Sequence, residues 1–169
     1  VFLEQAPAGH MERTIETARQ MGATVESLEE GIRVSMRGRP HPIRLETGPY
    51  PEFPTDMQSV MMAAASIADG TSRIQENVFE NRFCAAKELQ KLGAHIIIEN
   101  KLAVVDGVNA LKGTRMAAED LRGGAALAVA ALAADGTSFL DGYEHISRGY
   151  EDIAALLAPL GARITRSWG

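Results

Sequence analysis

An α/β fold assembled from a repeated βαβαββ unit is what the sequence predicts, on three observations. The stretch that begins "TDMQSVMMAAASIADGTS" at Thr55 can be laid over the one that begins "EDLRGGAALAVAALAADGTS" at Glu119. The overlay pairs Asp56 with Asp120, "ADGTS" at Ala68 with "ADGTS" at Ala134, Arg82 with Arg148, and "LGA" at Leu92 with "LGA" at Leu160. Within each copy, helical and strand-like patterns alternate instead of falling into separate blocks. A glycine stands at the end of each helical run, where a left-handed residue closes a helix.

Each element follows from local pattern. A partial copy stands at the front, where "ERTIETARQMGATVE" matches the second helix and following strand of the unit, with a helix under way by Met11. Asp56 caps an apolar helix rich in Ala and Met that the "DG" at Asp69 ends, and Asp120 does the same for the later copy. A strand follows each (Thr71–Val78; Thr137–His145), then a second helix (Phe83–Leu92; Tyr150–Leu160) stopped by Gly93 or Gly161. The runs "AHIIIEN", "LAVVDG" and "TRMAAE" read as short strands, with turns at Asn100 and Gly107. The expected units are residues 1–48, incomplete, then 49–114 and 115–169. The chain is too short, and its strands too many and too brief, for an eight-fold barrel.

Composition sets the outer limits. The 169 residues are 46% hydrophobic and 23% charged, the balance of an ordinary globular protein with a real core. A net charge of −5 gives no general attraction to nucleic acid or to anionic membrane, so an anion site must be built locally. One cysteine, Cys84, rules out an internal disulfide and a cysteine-based zinc site, and a reducing cytoplasm is the expected compartment. Apolar runs such as 125–134 are too short for a membrane span, and no signal peptide is visible. The chain starts at Val1 and reads as an excised piece.

The candidate chemistry lies where repeat units begin. Asp56 and Asp120 occupy equivalent places, which suits two structural N-caps as well as two carboxylates facing a cleft. Arg82, Arg122 and Arg148 fall at three expected helix starts, where the helix dipole disfavours a cation by ~0.3–1 kcal/mol. Two readings stay open: an anion completes the arrangement, or the arginines pair on the surface with Glu80, Glu119 or Glu151. The proline-rich loop "TGPYPEFPTD", Thr47–Asp56, is either a rigid ligand wall or a connector. Cys84 reads as a small buried hydrophobe and not as a nucleophile. His10, His41, His95 and His145 have no metal-ligand spacing, so no metal site is expected.

The stretches "PYPEFPTDMQ", "VFENRF", "LGAHIIIENK", "AAEDLRGGAAL" and "HISRGYEDI", in this order, resemble the C-terminal portion of the UDP-N-acetylglucosamine 1-carboxyvinyltransferases, over essentially the whole chain. The resemblance implies one partial lobe, residues 1–169, of a two-lobed inside-out α/β barrel whose N-terminal lobe is missing here. It implies transfer of the enolpyruvyl group of phosphoenolpyruvate to the sugar 3-hydroxyl in a cleft between lobes, without metal or organic cofactor. By position in the family motifs, Asp56 would take the hydroxyl proton, with Asp120 as a second catalytic carboxylate. Thr55, Val78 and Arg82 would line the sugar-nucleotide side, and Arg122 and Arg148 would hold phosphoenolpyruvate. The chain departs from common family wording at Gly123-Gly124 and at Ser147. Family members carry their loop cysteine and lysine-asparagine pair in the other lobe, so the isolated chain is expected to be inactive. Two rivals accompany this reading: a shikimate 3-phosphate transferase lobe, and a non-catalytic module of the same fold. Self-association through the surface that the missing lobe would cover is a further expectation.

Overall fold

The computed structural model describes residues 1–166; the end of the expected third unit, 167–169, lies outside them. The first part of the chain runs β1 (Phe2–Glu4), α1 (Glu12–Gln20), β2 (Thr24–Leu28) and β3 (Gly31–Ser35). The middle follows with β4 (Arg44–Glu46), α2 (Gln58–Ala65), β5 (Thr71–Gln75), α3 (Ala85–Lys91), β6 (His95–Glu99) and β7 (Leu102–Asp106). The last part holds β8 (Leu111–Lys112), β9 (Arg115–Ala117), α4 (Leu121–Ala133), β10 (Ala134–Asp135), β11 (Phe139–Asp141), α5 (Tyr143–Ser147) and α6 (Ile153–Leu157). The alternation of helix and strand expected from the repeat is present.

The sheets repeat as well. In the four-stranded sheet, β4 runs parallel to β5, and β7 joins β5 to β6 by antiparallel pairs. The order β1-β3-β2 in the first sheet reproduces β5-β7-β6, again with antiparallel pairs. The parallel pair β9 and β11 reproduces β4 and β5. Thus the middle sheet is whole, the first lacks the counterpart of β4, and the last shows, among the described residues, no counterparts of β6 and β7.

Helix α2 lies between the four-stranded sheet and α4. Both helices are built from Ala, Met and Leu and lack the face of charge that an outer helix carries, which suits an interior layer. Small residues let them approach closely: Ala65, Ala126 and Ala130 are buried beside Met62 and Leu127. Ile74, Leu89, Leu92, Leu111 and Val105 complete this core, and each large one contributes roughly 1.5–3 kcal/mol by leaving water. The opposite face of the sheet is exposed at Arg44, Glu46, Arg73 and Ile97. The helices therefore pack inside and the sheets face outward.

Some boundaries differ from expectation for local reasons. The strand expected over 137–145 ends at Asp141, because Gly142 turns left-handed at φ 79°, and residues 143–147 form α5 instead. A Cβ at Gly142 would lie 2.3 Å from the Ala118 carbonyl oxygen, so only glycine fits there. The strand expected over 71–78 ends at Gln75, and Val78 lies in the loop beyond it. Of the two expected acidic caps, Asp120 is one, its Oδ1 accepting from Gly123 N at 2.8 Å. Asp56 is not: it sits inside the short 3-10 turn Thr55–Met57 that leads into α2, and it makes no capping bond. Gly123-Gly124 also has a packing reason. A Cβ at Gly124 would meet Ile146 Cγ1 at 2.5 Å, so Gly124 lets α5 lie against the start of α4.

Candidate active site

Asp56 is the hub of the site. Its Oδ1 accepts from Arg82 Nη2 at 2.5 Å and its Oδ2 from Arg122 Nη2 at 2.6 Å, while its side chain is 51% exposed. The three residues come from the 3-10 turn before α2, the turn before α3 and the first turn of α4, so one carboxylate ties three segments together. The hydrogen bond from Arg122 is the main reason the Asp56 carboxyl lies below the usual carboxylate range, with the Arg82 charge adding to it. Arg122 gains in turn, since Asp56 and the nearby Tyr150 hydroxyl favour its charged form.

Arg82 does not open a helix. It lies in the turn at Asn81, whose φ is 57°, ahead of α3. Its guanidinium stacks over the Phe79 ring at 5.0 Å, and its buried Nε has no hydrogen-bond partner. The cation is compensated by Asp56 and by the charge of Asp120, not by Glu80. Arg122 does occupy a helix start, where the Asp120 cap and Asp56 offset the dipole. The surface pairings with Glu80 and Glu119 do not form among the described residues.

Asp120 and Cys84 make a second pair. The thiol donates to Asp120 Oδ2 at 2.6 Å. Burial, then the carboxylate beside it, pushes the Cys84 thiol up to about 11. Burial opposes the charge on Asp120, yet the Cys84 and Gly123 hydrogen bonds outweigh it and hold that carboxyl low. Cys84 is thus a hydrogen-bond donor to a partly buried acid and more than a small hydrophobe.

Arg148 is placed differently from expectation. It follows α5 at its C-terminal end and not at a helix start, because Gly142 begins a helix early and α6 waits until Ile153. Its side chain is exposed and makes no ion pair among the described residues, with Glu151 or any other. The turn itself packs near the site, since a Cβ at Gly149 would touch Leu121 at 2.5 Å. Ser147 turns back to its own helix, donating to the Glu144 carbonyl at 3.3 Å.

The residue that sequence reasoning missed is Glu76. It is 1% exposed, yet its carboxylate is fully used. Oε1 accepts from Thr47 Oγ1 at 2.8 Å, Val78 N at 2.8 Å and Phe79 N at 3.0 Å, and Oε2 accepts from Thr55 Oγ1 at 2.9 Å. Burial opposes the charge, and these four donors together outweigh it and hold the group below the usual range. The signal was available: Ser72 and Ile74 are the inward positions of β5, and Glu76 continues that period of two. The proline-rich loop is anchored by the same group through Thr47 and Thr55, with Phe53 buried and Tyr50 exposed. Among the described residues, no cluster of His, Cys, Asp or Glu has metal-holding geometry, and no helix is long and apolar enough to cross a membrane.

A family model described as EPSP synthase (3-phosphoshikimate 1-carboxyvinyltransferase) matches residues 1–157. The chain belongs to that family. Within it, the chain is 50% identical over 162 residues to the UDP-N-acetylglucosamine 1-carboxyvinyltransferase of Anaeromyxobacter sp. (strain K), covering 96% of this chain and 38% of that protein. It is 48% identical over 167 residues to the protein of the same name from Desulfofundulus thermocisternus, covering 99% of this chain and 69% of that one. Among solved structures, the enolpyruvyl transferase NikO from Streptomyces tendae superposes with a TM-score of 0.81 at 30% identity, over 90% of this chain and 36% of that one. An EPSP synthase from Acinetobacter baumannii, at 18% identity and a TM-score of 0.65, shares the fold. The chain spans 38% of the length of the Anaeromyxobacter relative.

Proposed function

We propose that the chain is part of a UDP-N-acetylglucosamine 1-carboxyvinyltransferase, an enzyme of peptidoglycan precursor synthesis working in the cytoplasm. In this reading residues 1–169 form one partial lobe, cut into units at 1–48, 49–114 and 115–169. The active site is a cleft completed by an N-terminal lobe, and neither nucleic acid nor membrane takes part. The observation that carries the proposal is the clamp of Arg82 and Arg122 on Asp56. It puts two partly buried guanidiniums against a half-exposed carboxylate base, on a chain about half identical to relatives of that name.

The reaction suits this geometry. The sugar 3-hydroxyl adds to C2 of phosphoenolpyruvate as C3 gains a proton; phosphate then leaves C2 as C3 gives the proton back. Asp56 accepts the hydroxyl proton. Its depressed pKa makes it a weak base, so its advantage lies in position. Arg122 and Arg148 bind the carboxylate and phosphate of phosphoenolpyruvate, for which planar guanidiniums have matching geometry. An arriving anion competes with Asp56 for Arg122 and Arg82, and a carboxylate released from its hydrogen bonds becomes more basic when the substrate is in place. Asp120, held ionised at the start of α4, is the second carboxylate, while Val78 lines the sugar side and Thr55 supports it indirectly, its hydroxyl being bonded to Glu76.

Phosphate release by the full-length protein tests the proposal. Phosphoenolpyruvate with UDP-N-acetylglucosamine is expected to give turnover, and shikimate 3-phosphate none. Turnover with shikimate 3-phosphate instead places the chain with the enzymes for which the family model is described. No turnover with either acceptor identifies a non-catalytic module. The 169-residue chain alone is expected to be inactive, and turnover by a contaminant-free preparation refutes that. Gel filtration of the same preparation reads its self-association.

A further inference from the structure

We propose that Glu76 is a positioning residue for the transfer reaction, holding the turn of Asp56 and the loop of Val78 in register through four hydrogen bonds to one buried carboxylate. This rests on the reading that Asp56 is the base.

Glu76 follows β5 directly, and its N–H donates to the Lys101 carbonyl at 2.8 Å, which fixes its backbone to the sheet. From that fixed point the carboxylate faces three separate segments. Thr47 closes the end of β4, and its hydroxyl also accepts from Asn77 N at 2.9 Å. Thr55 is the residue before Asp56 and opens the 3-10 turn that carries it. The amides of Val78 and Phe79 begin the loop that leads to Arg82, whose guanidinium lies on the Phe79 ring. Both partners of the Asp56–Arg82 pair are therefore referenced to the same anchor, one through Thr55 and the other through Phe79. The Thr55 hydroxyl is spent on Glu76, which makes its part in the site indirect.

The chemistry of the group explains why a carboxylate is used. Two oxygens with four lone-pair directions can accept from four donors at once, and an amide cannot, because one end of Gln donates. With the Gln oxygen turned to the three donors on Oε1, its NH2 faces the Thr55 hydroxyl, so the bond that Thr55 donates to this position is lost or reversed. A shift of about 1 Å in a reacting group can cost on the order of 100-fold in rate.

The test uses the full-length protein and Asp56→Asn as its reference for lost base catalysis. Glu76→Gln is expected to lower kcat about 10- to 100-fold, with unchanged far-UV circular dichroism and with KM for phosphoenolpyruvate near wild type. Thr55→Val is expected to lower kcat in the same way without raising KM for UDP-N-acetylglucosamine. Because the bond that Thr55→Val removes is one that Glu76→Gln already disrupts, the double variant should be no slower than Glu76→Gln alone. Additive losses, or a folded Glu76→Gln enzyme with wild-type kcat, overturn the proposal. If Glu76→Gln does not fold, Thr55→Val decides: a lower kcat at constant KM supports it, and wild-type kcat or a raised KM for the sugar nucleotide overturns it. Wild-type turnover by Asp56→Asn is a separate outcome, which removes the base assignment and the proposal built on it.

Discussion

Asp56 and Asp120 hold the same place in consecutive repeats and have opposite surroundings. Asp120 is drawn into the fold: one oxygen caps α4 and the other receives a thiol. Asp56 caps nothing, stays half exposed and is held by two arginines from other segments. The cause is local. At 120 the chain is extended before the helix, φ −147° and ψ 169°, which aims the side chain at the first free amides. At 56 a 3-10 turn precedes the helix, and Pro54 and Thr55 set its start, so the side chain points away from the helix axis and toward Arg82 and Arg122. Equivalent residues in a repeat thus have different surroundings, one closing a helix start and the other left half exposed between two arginines.

The comparison breaks most visibly at Asp56. Asp56→Asn in the full-length protein is expected to lower kcat by about 10²–10⁴, the worth of a positioned general base. Its fold should be retained, because Asp56 is half exposed and Asn keeps an acceptor for one of the two arginines. An equal loss of stability and activity would show that the two aspartates do the same structural work. The pH dependence follows from the depressed pKa of Asp56. A group whose folded pKa lies below its unfolded value adds stability above the unfolded value, about 3.9, and loses it as pH falls through the folded one. Arg122→Gln removes the first cause of that depression. The carboxyl resonance of Asp56, followed by NMR, should then titrate at higher pH than in the wild type. An unchanged midpoint would mean that Arg82 alone sets it.

At Asp120 the expected effect is on stability. Asp120→Ala removes the cap and should cost about 0.5–2 kcal/mol in urea denaturation, whereas Asp120→Asn keeps an acceptor for Gly123 and should cost much less. The pair of variants separates cap from charge. If Asp120→Asn is as unstable as Asp120→Ala, the charge is what matters, and the contrast with Asp56 narrows.

Much of this arrangement was legible in the sequence, and the illegible parts share a physical cause. The repeat, the alternation of elements and the glycine stops are local or periodic, so "LGA" at Leu92 and the left-handed Gly93, φ 95°, could be read directly. So could the gathering of Asp56, Asp120, Arg82 and Arg122, since equivalent unit ends meet when units pack. The pairing itself could not be read. Glu80 is close to Arg82 in sequence and Asp56 is 26 positions away, yet the fold brings the turn before α3 beside the 3-10 turn Thr55–Met57, and Arg82 pairs with Asp56. Arg148 was misplaced because Gly142 reads equally well as a turn within a strand or as a helix start, and contact with Ala118 decides. Glu76 was hidden in a presumed strand, where its partners Thr47 and Thr55 are remote in the chain.

The finest difference between the two carboxylates is the thiol. Cys84 donates to Asp120, and no cysteine stands near Asp56. In Cys84→Ala the anion loses one donor but keeps Gly123 N, so the expected cost is about 0.5–1.5 kcal/mol, that of one ordinary hydrogen bond. Cys84→Ser restores a donor of similar reach and should recover most of the loss. The sign with pH is fixed by the lowered pKa of Asp120. The thiol stabilises the ionised form, so the gap between wild type and Cys84→Ala should be widest above the unfolded carboxylate value. It should narrow as acid protonates Asp120. Denaturation midpoints between neutral and acidic pH measure that gap. A constant gap would assign the effect to packing around the sulfur, and serine would then fare no better than alanine.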